Sequence, residues 1–404
     1  MTDEKKKRDI AATNQLLEVI RGEKADLELD APNVDEKTPV GPEPTMYGER
    51  PRKKRVPFSF FARRTVGLDV GSHTVKCVYL EKKGFNRVAL LHAEALKIGS
   101  SEKDGEGEEG TNAQVRAIRQ VMEAIPSHRT KVVTAVGGVS TAIRQVELPK
   151  MSAKELSSSV NLWARNYMPF DIKEVQLDYQ VFGFDRSSRK IRLILVAVIK
   201  DHIQQHIELL HEADVDPVLV DVNPLAVMNA LLFNEEVEDD RCVVLLDVGD
   251  RNTTLCIYSE TAPYFVRNLM ISGNDFSRDI QRKLALPYGD VERYKRGELV
   301  IPEGKEAQAK LIDIIRPSLD ALIKEVRRSL TYYENQTKTT GFSEIVLTGG
   351  SAHMEGLAQY MGENLGLPVK ILDPFKHVET RDMSFSGPAS QFALAVGLAL
   401  REYK

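Results

Sequence analysis

One short pattern occurs twice in this sequence, and it constrains the fold more than any other feature. "LDVGSHTVKCVY" (Leu68–Tyr79) and "LDVGDRNTTLCIY" (Leu246–Tyr258) share Leu-Asp-Val-Gly, then Thr, then an apolar residue, Cys, an apolar residue and Tyr. Each reads as a buried strand, a sharp glycine-bearing turn and a second strand. Matching Cys to Cys places one inserted residue in the second turn. Asp69 and Asp247 lie 178 residues apart, farther than any solenoid period, so the pattern implies a duplicated domain. A chain of 404 residues has room for roughly two to three domains.

Residues 1–62 differ from the remainder. They are rich in Lys, Glu, Asp and Pro and carry few large apolar residues, so a disordered extension is expected. Within them "NQLLEVIRG" is too short for a helix that stands alone. The segment closes on "RPRKKRVPFSFFARR", where a basic cluster meets Phe58, Phe60 and Phe61. Two readings stay open for residues 50–64: weak docking on a membrane surface or partner, or a solvated tether whose aromatics pack on the first domain.

From Arg64 onward strands and helices alternate. "RRTVGLDVG", "TVKCVYLEKKG" and "RVALLHAEALKIG" read as successive antiparallel strands. An acidic loop "SSEKDGEGEEG", a helix over "NAQVRAIRQVMEAI" and a buried strand "TKVVTAVGG" follow. Ser152, three before Glu155, forms a capping-box signature for a helix in "MSAKELSSSVNLWARNYMPF". With the hairpin "VQLDYQVFGFD"/"RKIRLILVAVIK" and the helix "DHIQQHIELLHEAD", residues 151–213 read as an inserted module. "PVLVDVNPLAVMNALLF" returns to strand and helix. The expected division is 63–150 with 214–238 as one domain and 239–404 as the other.

The net charge of -4 gives no general pull towards nucleic acid. No apolar run approaches the roughly 20 residues that cross a bilayer, and the N-terminus does not read as a signal peptide. A cytoplasmic protein, at a membrane only through something else, is expected. Cys77, Cys242 and Cys256 lie in apolar runs without metal-ligand spacing and read as reduced core thiols.

A turn opened by Gly can aim several backbone N–H groups into one concavity, an anion site. The Asp before it brings negative charge to the same spot. Phosphate and carboxylate tolerate each other there only with a cation between them, and Mg²⁺ is typically bound by one or two carboxylates plus substrate phosphates. Two such turns facing each other would clamp a nucleotide's phosphate chain. Lys76 either points into that cleft or lies on the solvent side of an edge strand. "EIVLTGGSAHMEGLAQYM" adds Gly349-Gly350, which either admits a flat ring close to the backbone or is an ordinary strand-to-helix turn. No Walker A or Gly-x-Gly-x-x-Gly pattern follows a strand.

Taken in order, "LDVGSHTVK", "LDVGDRNTT" and "LTGGSAHMEGL" resemble the phosphate-1, phosphate-2 and adenosine motifs of the actin/Hsp70/FtsA superfamily. More closely, the chain resembles the PilM family, actin-like proteins of type IV pilus assembly, from about Thr65 to its C-terminus. "IRQVELPKMSAKELSSSVNLWARNYMPFDIKEVQLDYQVFG" is similar to that family's 1C subdomain. The resemblance implies an α/β, two-domain actin-like ATPase fold of duplicated ribonuclease-H-like domains. Subdomain 1A would be 63–150 with 214–238, the inserted 1C would be 151–213, and 2A would carry 2B near 274–340.

The resemblance also implies ATP and Mg²⁺ in the cleft, with Asp69 and Asp247 holding the hydrated metal. Gly71, Ser72 and Lys76 would contact phosphates from one side, and Gly249, Asn252 and Thr253 from the other. Gly349, Gly350, Ser351 and Met354 would border the adenosine. "ISGNDFSRDI" makes Gly273 a further contact, and "VERYKRG" offers Glu292 and Lys295 to ribose and base, unless they form a surface ion pair. Several relatives present Glu or Gln where this chain has Asn223. Asn orients water but cannot take its proton, so Asn223 and Asp247 are the catalytic candidates and weak hydrolysis is expected. The implied partner is the cytoplasmic tail of a PilN-like bitopic membrane protein beside 1A and 1C, at the inner membrane. Other pilus platform or motor proteins, and self-association, remain open. Alternatives are an FtsA-like division protein, against which "FALAVGLALREYK" reads as a buried helix, and a small-metabolite kinase, for which no general base stands out.

Overall fold

The computed structural model describes residues 63–83, 87–99, 108–126, 130–185, 189–237, 241–259, 264–299, 310–337, 341–380, 385 and 387–401. The N-terminal extension, "NQLLEVIRG" and all but Arg63 and Arg64 of the basic–aromatic patch lie outside the described residues, as do residues 100–107 of the acidic stretch.

β1 (Arg63–Val70), β2 (Thr74–Lys83) and β3 (Arg87–Lys97) form the expected antiparallel meander. α1 (Glu108–Met122) starts inside the acidic stretch, four residues before the expected helix, and leads to β4 (Lys131–Val136). Then come β5 (Thr141–Pro149), α2 (Ala153–Ala164), β6 (Val175–Asp185), β7 (Lys190–Ile199), α3 (Lys200–Glu212), β8 (Leu219–Val222) and α4 (Asn223–Asn234). The second half runs β9 (Cys242–Val248), β10 (Thr253–Tyr258), β11 (Phe265–Leu269), α5 (Gly273–Leu284), α6 (Tyr288–Lys295) and α7 (Leu311–Thr337). It ends with β12 (Phe342–Thr348), α8 (Leu357–Leu365), β13 (Val369–Ile371) and α9 (Ala393–Ala399). No described helix is long and apolar enough to cross a membrane.

The duplication is visible in the sheets. One has the order β3-β2-β1-β4-β8 and the other β11-β10-β9-β12-β13. In each, three antiparallel strands are followed by two added in parallel. Both central strands are covered on both faces, as parallel pairing demands. Along β9, Cys242, Val244, Leu246 and Val248 enter the core beneath α5 and α7, while Val243 and Leu245 face a core shared between the halves. That shared core contains α4 and α9 and contacts strands of both sheets.

The two hairpins match without any insertion, which corrects the sequence alignment of their cysteines. β1 and β2 pair Val70 with Val75, and β9 and β10 pair Val248 with Thr253, so both turns have equal length. Cys77 therefore corresponds to Leu255, each opposite the Leu that precedes the turn Asp. Side chains alternate faces along a strand, so a one-residue shift reverses every one of them. Cys77 lies in the outer core of the first half and Cys256 in the shared core. Burial raises both thiols to about 12, and all three cysteines are free and buried.

Packing also draws the inserted module differently from the expected 151–213. β5 pairs with β7 over its whole length in the small sheet β5-β7-β6, so the module starts at Thr141. α3 instead contributes Leu210 to the outer core of the first half, beside α1. The expected cap of α2 is present: Ser152 Oγ accepts from the Glu155 N–H at 3.3 Å, and Glu155 Oε2 accepts from the Ser152 N–H at 2.8 Å. At the other end of the chain, α9 packs on β1 and α4 of the first half. A Cβ on Gly67 would lie 1.9 Å from the Ala395 carbonyl oxygen, so glycine sets this approach. α5 to α7 share one core with the second sheet, and no separate sheet marks 274–340 among the described residues.

Candidate functional site

Asp69 ends β1, and the hairpin register places Lys76 directly opposite it. Lys76 Nζ donates to Asp69 Oδ2 at 2.8 Å, so the lysine faces this carboxylate; β2 lies inside the sheet, not at its edge. In the second copy Thr254 stands opposite Asp247. Burial, and secondly the charge of Asp69, lift the Asp247 carboxyl to about 6, with Lys76 opposing.

Both turns close in the same way. The Gly71 N–H donates to the Thr74 carbonyl at 3.2 Å and the Gly249 N–H to the Asn252 carbonyl at 3.1 Å. A Cβ on either glycine would meet that carbonyl oxygen, at 2.7 and 2.9 Å. Among the described residues nothing accepts from the N–H groups of Ser72, His73, Asp250 and Arg251. The turns touch directly: Ser72 Oγ donates to Asp250 Oδ2 at 2.8 Å.

Three further segments converge here. The Gly273 N–H donates to the Gly249 carbonyl at 2.8 Å, seating α5 on the second turn. A Cβ on Gly273 would lie 2.4 Å from Ser351 Oγ, which brings the "LTGGS" segment alongside. Gly349 has φ +90°, and a Cβ there would lie 2.5 Å from Asp247 Oδ1. Only glycine fits, because the backbone both turns left-handed and presses on the carboxylate. Gly350 faces open space. On α6, Lys295 Nζ donates to Glu292 Oε1 at 3.0 Å, Ser277 Oγ at 2.9 Å and the Gly273 carbonyl at 3.1 Å. The pair is buried, with side chains 8% and 13% exposed, so it is not the surface ion pair that spacing left open.

Other expected residues sit less openly. Thr253 is buried, its hydroxyl donating to the Ile271 carbonyl at 2.7 Å. Asn252 Nδ2 donates to Thr254 Oγ1 at 3.4 Å. The Met354 side chain belongs to the core beneath α7, and only its backbone follows the glycines. Asn223 opens α4 against Gly137, where a Cβ would lie 2.5 Å from its Nδ2. Asn223 Oδ1 is buried without a hydrogen-bond partner among the described residues.

Sequence reasoning missed two polar groups in the same turns. His73 stands edge-on to Tyr288 with ring centroids 6.2 Å apart, and its buried Nε2 has no described partner. Burial lowers its pKa, opposed by the charges of Glu292 and Asp250. Asp250 is the other. Both lay inside the quoted motifs, but their contacts cross between halves.

The residues present fit a magnesium nucleotide. Two glycine cradles leave turn amides unbonded, two buried polar atoms lack partners, and two carboxylates face the same gap. Among the described residues no three His, Cys, Asp or Glu side chains could hold a metal ion by themselves, so a cation here would be shared with phosphate oxygens.

A second concavity of about 450 Å³ lies between the small sheet, β8 and α4. Phe182, Ile194, Val196, Leu232 and Tyr264 line it, with Asp221 among them. Burial raises the pKa of Asp221, and Arg401 at 3.3 Å opposes that shift.

A family model described as "Type IV pilus assembly protein PilM" matches residues 67–403. A solved structure, "PilM-PilN type IV pilus biogenesis complex", contains a chain 28% identical, with TM-score 0.69, covering 83% of this chain and 97% of that one. Cell division protein FtsA of Pseudomonas aeruginosa is 25% identical over 186 residues, 40% of this chain and 42% of FtsA. The chain thus matches less than half the length of that curated relative. The family model covers both copies of the repeated hairpin, the small sheet and the glycine pair. The fold is the two-domain actin-like ATPase fold, and the chain belongs to the PilM family of type IV pilus assembly proteins.

Proposed function

We propose that this chain is an inner-membrane assembly component of the type IV pilus machinery, binding ATP with Mg²⁺ in the cleft and a PilN-like tail in the groove. Asp69 and Asp247 hold the hydrated cation; Ser72, Lys76 and the turn amides meet the phosphates. Gly349, Gly350, Ser351 and Gly273 border the adenosine, and Glu292 and Lys295 reach the ribose and base. The ion supplies charge neutralisation for the phosphate chain when bound. One observation carries this reading: the duplicated turns face each other with Asp69 close enough to raise Asp247.

Turnover is weak or absent. Asn223 orients a water molecule but cannot accept its proton. The nucleotide therefore acts as a switching ligand, and α4 supplies the link. Asn223 begins that helix against Gly137, while Leu225, Met228 and Leu232 of the same helix line the groove. A ligand that prefers one setting of this helix changes affinity at the other site, and the coupling is reciprocal.

The groove suits an extended segment with apolar side chains from a membrane protein's cytoplasmic tail. The solved PilM–PilN complex supports that partner, and the inner-membrane position belongs to the same proposal. An FtsA-like role has partial sequence similarity in its favour. Against it, that similarity spans 40% of the chain, whereas the pilus-assembly family model spans residues 67–403. Affinity capture from detergent-solubilised membranes tests the proposal: pilus inner-membrane proteins are expected, and recovery of a division-ring protein instead would overturn it.

A further inference from the structure

Ser72 and Asp250 occupy the same position of the two copies, immediately after the turn glycine and 178 residues apart. They meet across the cleft, the Ser72 hydroxyl donating to the Asp250 carboxylate at 2.8 Å. In a clamp of two such turns these are the two side chains nearest to any phosphate held between them. One offers a hydrogen-bond donor. The other brings a negative charge to the place where phosphate charge would sit.

The cations around that charge are either already paired or solvent-exposed, Lys97 opposite Thr74 being among the exposed ones. Lys76 is paired with Asp69 at 2.8 Å, and Lys295 with Glu292 at 3.0 Å. Asp247 faces Thr254 across its hairpin. Arg251, next to Asp250, is exposed. A bare phosphate chain entering the cleft meets the carboxylates of Asp250 and Asp247 with Lys76 and Lys295 both already engaged.

On this basis, and resting on the reading of the cleft as a nucleotide site, we infer that Asp250 makes the site specific for the metal complex of the nucleotide. Asp250 holds the Ser72 hydroxyl until a phosphate chain carrying a divalent cation replaces it. The cation offsets the carboxylate, and Ser72 then turns its hydrogen bond to phosphate. Free nucleotide and inorganic phosphate are excluded by like charge. Asp250 is a specificity residue here, distinct from the two metal-holding aspartates.

The test is titration of the full chain with a fluorescent N-methylanthraniloyl ATP, in magnesium and in EDTA, with thermal melting of each protein to establish folding. Wild type is expected to bind at least about tenfold more tightly with magnesium, the scale of one unfavourable charge pair. Asp250→Ser is expected to shrink that ratio to about threefold or less by strengthening binding in EDTA. Ser72→Ala removes the same hydrogen bond but keeps the charge, so it should weaken binding in both buffers and preserve the wild-type ratio. An unchanged ratio in Asp250→Ser, with binding intact, overturns this inference alone. Absence of binding by wild type in magnesium overturns the nucleotide reading together with it.

Discussion

Lys76 stands 2.8 Å from Asp69 across the first hairpin, and the equivalent place opposite Asp247 in the second hairpin is held by Thr254. The duplicated aspartates are thus chemically unequal. Asp69 has a bonded cation, whereas desolvation and the charge of Asp69 raise the Asp247 carboxyl to about 6.

That inequality makes Asp247 a destabilising residue in the ligand-free protein. Its folded pKa lies above the unfolded value of 3.8, so the folded state binds the proton more tightly. The cost is absent well below 3.8, sets in as the pH rises towards 6, and persists above it. Asp247→Asn is therefore expected to raise the melting temperature at pH 7 by several degrees, a gain on the order of 1–3 kcal/mol. The gain should disappear near pH 4, and magnesium-dependent nucleotide binding should be lost. Melting curves across pH check the first outcome and fluorescence titration the second.

Asn223 is expected to govern rate without governing affinity. Its amide abuts Gly137, with Nδ2 2.5 Å from where a Cβ would sit, so Gly137→Ala must displace it. Wild-type turnover should lie below about 1 s⁻¹, at the bottom of the usual enzymatic range. Asn223→Ala and Gly137→Ala should lower it by a further tenfold or so, while nucleotide affinity changes less than about threefold. Phosphate release under saturating ATP, set beside fluorescence titration, separates the two quantities.

The Glu292–Lys295 pair is buried and shares its network with Ser277. Removing one partner strands the other charge: Lys295→Met should cost about 3–5 kcal/mol in denaturant unfolding. Glu292→Gln with Lys295→Met should recover a large part of that loss, since no unpaired charge then remains. A double-mutant cycle measures the difference, and additive losses would refute the coupling.

The parts of this arrangement that were legible in the sequence are the local ones. Asp69, Gly71 and their copies stand out because a strand, a glycine turn and a strand fit within a dozen residues. The cap made by Ser152 and Glu155 spans four residues and is equally readable. Whatever depended on distant partners was not. Strand β5 belongs to the small sheet because its register with β7 is set across about forty residues of chain. The Cys77–Cys256 alignment failed because identity at one position outweighed strand alternation, which only the pairing register reveals. Glu292 and Lys295 were found by spacing, but their burial depends on Ser277 from another helix. His73 and Asp250 were passed over because their partners lie in the opposite half.

The groove offers a change that should separate partner docking from nucleotide binding. Leu232 is 41% exposed on the groove wall, so an acidic side chain there keeps its hydration in the free protein. Leu232→Asp should leave melting temperature and nucleotide affinity near wild type and reduce capture of a PilN-like tail peptide by at least about tenfold. Fluorescence anisotropy of the labelled peptide reads the effect, and undiminished binding would remove this wall from the docking surface.

The return of α9 to the first half predicts where the chain tolerates no added bulk. A Cβ on Gly397 would lie 1.7 Å from the Ala226 carbonyl oxygen, and one on Gly67 1.9 Å from that of Ala395. These contacts are with backbone, which cannot swing aside as a side chain would. Gly397→Ala also gains helix propensity, worth about 1 kcal/mol in an exposed helix. If α9 were loosely attached, that gain would dominate and the protein would become more stable. The packing described here predicts the opposite: Gly67→Ala and Gly397→Ala should each destabilise by about 1–3 kcal/mol or more through overpacking. Because α4 meets α9 at Ala226 and carries both Asn223 and Leu232, the two substitutions should also weaken tail-peptide binding and lower turnover, with nucleotide affinity changed less than about threefold. Denaturant unfolding with both titrations checks the sign, and a stabilised Gly397→Ala would overturn the packing of α9 between the halves.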